Sequence, residues 1–173
     1  MIELHGVSKT FAQKGKNSIT ITPLNEVSFD IEDGRIIGLV GASGEGKSTL
    51  ANILCGICAP SKGKVYVDGV SLWSDKCKYD RKTGGAVQLI PQKPALALDP
   101  TQRIGSAVKE ALVAFKSAKR GKDAEQKTRE LFDVVGLERT LASRLPVHLS
   151  GGQAQRAVIA RALATRPKLL ISD

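Results

Sequence analysis

Apolar and polar positions alternate from Ile2 to Phe11, which predicts a strand, and ITITPLNEVSFDI, residues 19–31, predicts one or two more after a polar turn at KGKN, residues 14–17. Asp33-Gly34 is a hairpin-type turn. Arg35 to Val40 is an apolar run of the length of a short buried strand, and behind it Leu50, Ile53, Leu54 and Ile57 recur at helical spacing. APSKG, residues 59–63, breaks the chain. KVYVDGV predicts a strand ending at Asp68-Gly69, and SLWSDKCKYDRKTGG, without a clear period, predicts a loop with one short helix ending near Gly84. Ala86 to Ile90 is a compact apolar strand that Pro91 stops. Ile104, Val108, Leu112 and Phe115 stripe one helix, and Ala124, Thr128, Leu131, Phe132 and Val135 stripe a second that Gly136 ends. The last helix opens at Ser150, a good N-cap, with Val158, Ile159, Ala162 and Leu163 as its apolar side. Pro167 closes it, and KLLISD predicts a final strand ending on Asp173.

Between the strand at 35–40 and the helix behind it stands GASGEGKS, Gly41 to Ser48, a glycine, four residues, then Gly-Lys-Ser, in the strand-to-helix context that a P-loop requires. Its chemistry suits a polyphosphate. Unpaired backbone N–H groups at a helix start point into one concavity, and the helix dipole adds partial positive charge. Gly41, Gly44 and Gly46 permit close backbone approach, Ala42, Ser43, Glu45 and Thr49 complete the loop and its exit, Lys47 supplies a point charge for the β- and γ-phosphates, and the Ser48 hydroxyl is a magnesium ligand. An Asp at the end of an apolar strand, here Asp173, sits beside such a loop and orders the magnesium shell. The fold class is therefore α/β: a P-loop core with an N-terminal antiparallel β subdomain over 1–93, a helical insertion over 94–146, and a return to the core over 147–173.

Charge and cysteine content change this little. The 173 residues carry 26 Lys plus Arg against 17 Asp plus Glu, a net charge of +9, with a basic concentration at Lys116, Lys119, Arg120 and Lys122. Such an excess suits a solvated face first, and a nucleic acid or anionic membrane second. Aromatics are only 4%, which supports no stacking platform for single strands, and no nucleic-acid partner is expected. The lone Cys55–Cys58 pair with Cys77 lacks a second ligand pair, so buried thiols are the simpler reading. No apolar run reaches transmembrane length and no secretion leader is recognisable, so a cytoplasmic location is expected. Phe11, just after the first strand, either packs on the core or offers a face to a base, with core packing favoured by its local sequence.

The P-loop, the apolar strand ending in Asp, and LSGGQ, residues 149–153, one helix ahead of that strand together resemble the ATP-binding subunit of an ABC transporter over essentially the whole chain. The resemblance implies ATP and Mg2+ as cofactors, adenine stacking by Phe11, and a magnesium or water contact by Gln92 that couples the nucleotide to a membrane partner. It also implies that Ser150, Gly151, Gly152 and Gln153 close on the γ-phosphate held by a second copy, in a head-to-tail dimer that opens on hydrolysis. Transmembrane permease subunits would then be partners, with the chain peripheral on the inner face of the membrane. PQKPALALDPTQRIG resembles the oligopeptide, dipeptide and nickel importer ATPases, with Leu98-Asp99-Pro100 where leucine-asparagine-proline is usual. The alternatives are a soluble ABC-type ATPase acting on ribosomes or DNA, and a non-catalytic ATP-dependent interaction module.

Members of the family continue past the strand-terminal Asp to a catalytic glutamate and a γ-phosphate-sensing histidine, neither of which Asp173 or His148 replaces. Poor hydrolysis is expected on that ground, because a water-polarising base contributes on the order of 100- to 10,000-fold in rate. An unpaired edge on the final strand, and with it low stability, is expected as well.

Overall fold

The computed structural model describes residues 1–13, 19–80, 83 and 85–173, in two compact units, Met1–Val87 and Gln88–Asp173. The turn expected at 14–17 lies outside the described residues, as does Gly84, near which the short helix is expected to end.

In the first unit β1 (Ile2–Gln13) pairs antiparallel with β2 (Ile19–Ile31) and β3 (Lys62–Val67), and β3 with β4 (Val70–Ser71), giving the sheet order β2-β1-β3-β4. Residues 19–31 thus form one strand. Alternate side chains Ile2, Leu4, Val65 and Val67 are buried on one face, as period-two patterning requires. The β3–β4 turn has Asp68 at φ 49° and Gly69 at φ 74°, the two left-handed residues that a tight two-residue hairpin demands.

Helix α1 (Lys47–Leu54) buries Leu50, Ile53 and Leu54, but Ile57 is exposed. The helix stops at Cys55 because Gly56, at φ 78°, turns the chain away before the next helical position is reached. Two aromatic donors close this end: Trp73 Nε1–H donates to the Ile53 carbonyl at 3.0 Å and Tyr79 O–H to the Leu54 carbonyl at 3.4 Å. Their rings meet edge to face with centroids 5.1 Å apart.

The run Arg35 to Val40 is not a strand. Ile36 and Val40 are almost fully exposed, and Ile37 and Leu39 more than half. Apolar patterning supplies a strand's side chains but not its ladder. Without a partner for its N–H and C=O groups an apolar segment gains nothing from extended pairing, and among the described residues no strand pairs with it.

In the second unit, β5 (Val87–Ile90) leads through a 3₁₀ turn, Pro94–Ala97, to α2 (Ile104–Ala114), α3 (Lys122–Val134), α4 (Gly151–Leu163) and β6 (Leu169–Ser172). Ile104, Val108 and Leu112 of α2 and Ala124 and Phe132 of α3 share one core with the alanine-rich face of α4, Ala157 to Ala162. Small residues on α4 let the hairpin approach closely. Gly105 serves a different approach, that of α2 to the 3₁₀ turn Arg139–Ser143, since a Cβ there would press on Ala142. Phe115 departs from its predicted stripe. It follows the last turn of α2, Lys116 takes φ 57°, and the ring is 45% exposed. Gly136, at φ 65°, ends α3 as the sequence predicts. Among the described residues β6 pairs with β5 alone.

Burial pushes the Tyr79 hydroxyl up to about 12 from its ordinary value near 10. A phenol that keeps its proton in the folded state holds its contribution below pH ~10 and loses it as pH rises toward 12, because only the unfolded chain ionises in that window. Denaturation midpoints measured across this range should fall, and Tyr79→Phe should flatten the decline.

Candidate functional site

The first unit carries the loop 41–48. Gly44 and Gly46 both have φ of 90°, a conformation that L side chains rarely adopt, and a Cβ on Gly46 would collide with the Pro23 carbonyl of β2. These two glycines bend the chain tightly into α1. Its N-cap Gly46 has no side-chain acceptor, so the first helical N–H groups remain for an external acceptor. The Ala42 N–H already holds an anion: the Glu45 carboxylate accepts it at 2.7 Å. Lys47 Nζ donates to the Gly41 carbonyl at 2.7 Å and to the Ala42 carbonyl at 2.6 Å, which pins the ammonium at the loop and leaves one of its three donors. The loop is therefore a cradle for negative charge, its cation in place and one amide satisfied by a carboxylate that a phosphate oxygen can replace. Ser48 and Thr49, in the first turn of α1, follow directly.

Phe11 lies opposite Ile21 in the β1–β2 ladder, two residues from the Pro23 against which Gly46 rests. It is 46% exposed, so it is not the core residue that its local sequence favoured, and the Lys9 ammonium sits 5.0 Å from its ring centroid. A cation over an aromatic face is attracted by the ring quadrupole. Lys9 and Phe11, two residues apart in β1, share one face of the strand, which lets the ammonium reach the ring.

The second unit carries the remaining expected residues. The Asp173 N–H donates to the Ile90 carbonyl at 3.1 Å, which sets the C-terminal ends of β5 and β6 side by side, with Gln92 two residues past one and Asp173 capping the other, both exposed. At the start of α4, Ser150 Oγ accepts the Gln153 N–H at 3.3 Å while Gln153 Oε1 accepts the Ser150 N–H at 2.9 Å, a closed capping box. Gly151 and Gly152 stand between them. Neither has a positive φ, and a Cβ on either would meet nothing within 4 Å.

A family model described as ABC transporter matches residues 24–173. The chain belongs to the ABC transporter family. It is 35% identical over its whole length to the oligopeptide transport ATP-binding protein OppF of Streptococcus mutans, of which it covers 56%, and 38% identical to the methionine import ATP-binding protein MetN 1 of Oceanobacillus iheyensis, of which it covers 49%. It thus spans about half the length of these relatives. A solved dimeric structure of the ATP-binding cassette MJ0796, in a post-hydrolysis state bound to ADP and Pi, aligns over all of this chain and 73% of its own, with TM-score 0.83 and 31% identity. The α/β fold class expected from the sequence is that of ABC cassettes.

Asp99, which stands where the importer-type ABC pattern has asparagine, is accounted for locally. Its carboxylate accepts the Thr101 hydroxyl at 2.6 Å and N–H at 2.8 Å, the turn that an asparagine carbonyl makes, and these bonds hold it below the usual carboxylate range. The sequence's lone CxxC gives no centre: all three cysteines are free thiols, burial pushes Cys55 up to about 11, and no His/Cys/Asp/Glu group among the described residues could hold a metal ion. No helix among them is long and apolar enough to cross a membrane.

Ser150→Ala should cost about 1 kcal/mol by opening the α4 cap. Urea denaturation without nucleotide should show this as a lower midpoint at unchanged slope.

Proposed function

We propose that the chain is the ATP-binding part of an ABC importer, in which two copies close head to tail on ATP–Mg2+ and reopen after hydrolysis to drive a permease in the membrane. The observation that carries this reading is the pair Gly151-Gly152. Glycine at two successive early positions of a helix costs stability relative to alanine, and neither its own backbone angles nor its surroundings ask for it. The remaining reason is close approach by something outside the chain. The capping box leaves the backbone beside Ser150 bare and exposed, the geometry that suits a phosphate held by another copy.

In this reading a bound magnesium ion would supply charge neutralisation at the phosphates, and Ser48, Gln92 and Asp173 would hold it. The chain's own residues hold and orient. Gly41 to Thr49 wrap the β- and γ-phosphates, and Lys47 turns from its loop carbonyls to the phosphates as Glu45 gives up the Ala42 N–H. Ser48, Gln92 and Asp173 are the magnesium and water contacts, and Phe11 exchanges Lys9 for the adenine face. Residues 94–146 are the insertion that receives the permease. The named relatives divide between oligopeptide and methionine, which supports import of a peptide or an amino acid-sized solute.

Lys47→Ala should abolish ATP binding measured by calorimetry, because it removes the loop's own cation. Ser150→Arg should leave monomer affinity intact and block ATP-dependent pairing seen by gel filtration. Gly152→Ala should separate the two roles of α4, with unfolding stability unchanged or raised by up to about 1 kcal/mol while pairing is lost. If Gly152→Ala pairs normally on ATP, the glycines have another cause and the composite site is wrong.

A further inference from the structure

The turn between α2 and α3 holds a basic cluster that the nucleotide reading leaves unused. Lys116, Lys119, Arg120 and Lys122 are all exposed, and among the described residues none has a carboxylate within ion-pair distance. Asp123, the acidic residue nearest in sequence, is already engaged: its Oδ2 accepts the Lys119 N–H at 2.6 Å and the Lys127 ammonium at 3.4 Å. Lys127 also donates to the Ser117 carbonyl at 2.6 Å, so the turn is ordered from within. A cavity of about 390 Å³ opens here, lined by Val113, Lys116, Ser117, Lys119 and Lys127 and also by the Asp123 carboxylate. Phe115, immediately before Lys116 in sequence, is exposed.

Local structure does not ask for these charges. Lys119, Arg120 and Lys122 precede or open α3; Asp123 and Glu125 in its first turn answer the helix dipole, while the side-chain cations of the cluster stay without an ion pair among the described residues. An external anionic surface would supply the counter-charge that these exposed cations lack. We propose that the α2–α3 turn docks on an anionic phospholipid surface, with Phe115 entering the interface and the four cations lying against the headgroups. The pairing of one exposed aromatic ring with four cations on a short turn fits a bilayer surface, where basic residues are drawn to anionic headgroups and apolar side chains enter the acyl boundary. A nucleic acid would instead ask for further aromatic faces to stack on. This inference does not depend on nucleotide binding.

Cosedimentation of the full chain with vesicles of mixed phosphatidylglycerol and phosphatidylcholine tests it against vesicles of phosphatidylcholine alone. Binding should require phosphatidylglycerol and weaken with salt. Each neutralised cation should cost about fivefold, so Lys119→Gln/Arg120→Gln/Lys122→Gln should lose on the order of 100-fold. Lys62→Gln/Lys76→Gln/Lys78→Gln, which removes equal charge from the first unit, should retain most of the binding. Lys47→Ala should bind vesicles like the unaltered chain, which separates this surface from the P-loop. A Phe115→Trp variant, in a Trp73→Phe background, should shift its emission to the blue on phosphatidylglycerol and not on phosphatidylcholine. Equal loss from the two triple variants, displacement by inorganic phosphate at matched ionic strength, or tighter retention on duplex DNA than on vesicles would each overturn the proposal.

Discussion

A helix leaves its first backbone N–H groups without partners, and the starts of α1 and α4 answer that shortage differently. At α1 the chain arrives through two left-handed glycines, and the N-cap offers no side-chain acceptor, so the first turn keeps its hunger for an anion. At α4 the Ser150–Gln153 box satisfies the cap locally, and what remains open is the bare glycine backbone beside it. In the proposed function the first loop would grip the nucleotide and the second would close over it.

Each loop stands on packing that does not itself touch a ligand. Leu50, Ile53 and Leu54 fasten α1 by its apolar side, while Pro23 and Leu24 of β2 fill the space that a larger residue at Gly46 would need. In the second unit α4 is held by alanines against Ile104, Val108 and Phe132, an arrangement that fixes the helix axis without bulky side chains near its exposed start. Chemistry and scaffold thus occupy opposite faces of the same short elements.

Much of this was legible from residues alone. Gly-Lys-Ser after a spaced glycine, Ser150 three residues before Gln153, and the heptad-like stripes of α2 and α3 all carry their mechanism in local spacing. What was not legible depends on partners distant in sequence. Arg35 to Val40 has the side chains of a strand, but pairing is decided by another segment. Ile57 and Phe115 fit their stripes by count, yet each follows a left-handed residue or helix end that the periodicity does not register. Lys9 and Phe11 share a strand face by their spacing of two, but that the ammonium folds over the ring is a side-chain choice the pattern does not record.

Trp73 is the chain's single tryptophan, and its indole N–H is tied to the far end of the helix whose beginning carries Lys47 and Ser48. Any tightening or shift of that eight-residue helix alters the polarity and hydrogen bonding around one intrinsic fluorophore. The protein therefore comes with a built-in optical gauge of its phosphate loop, one that reads an event at the helix mouth without a label and from the opposite end.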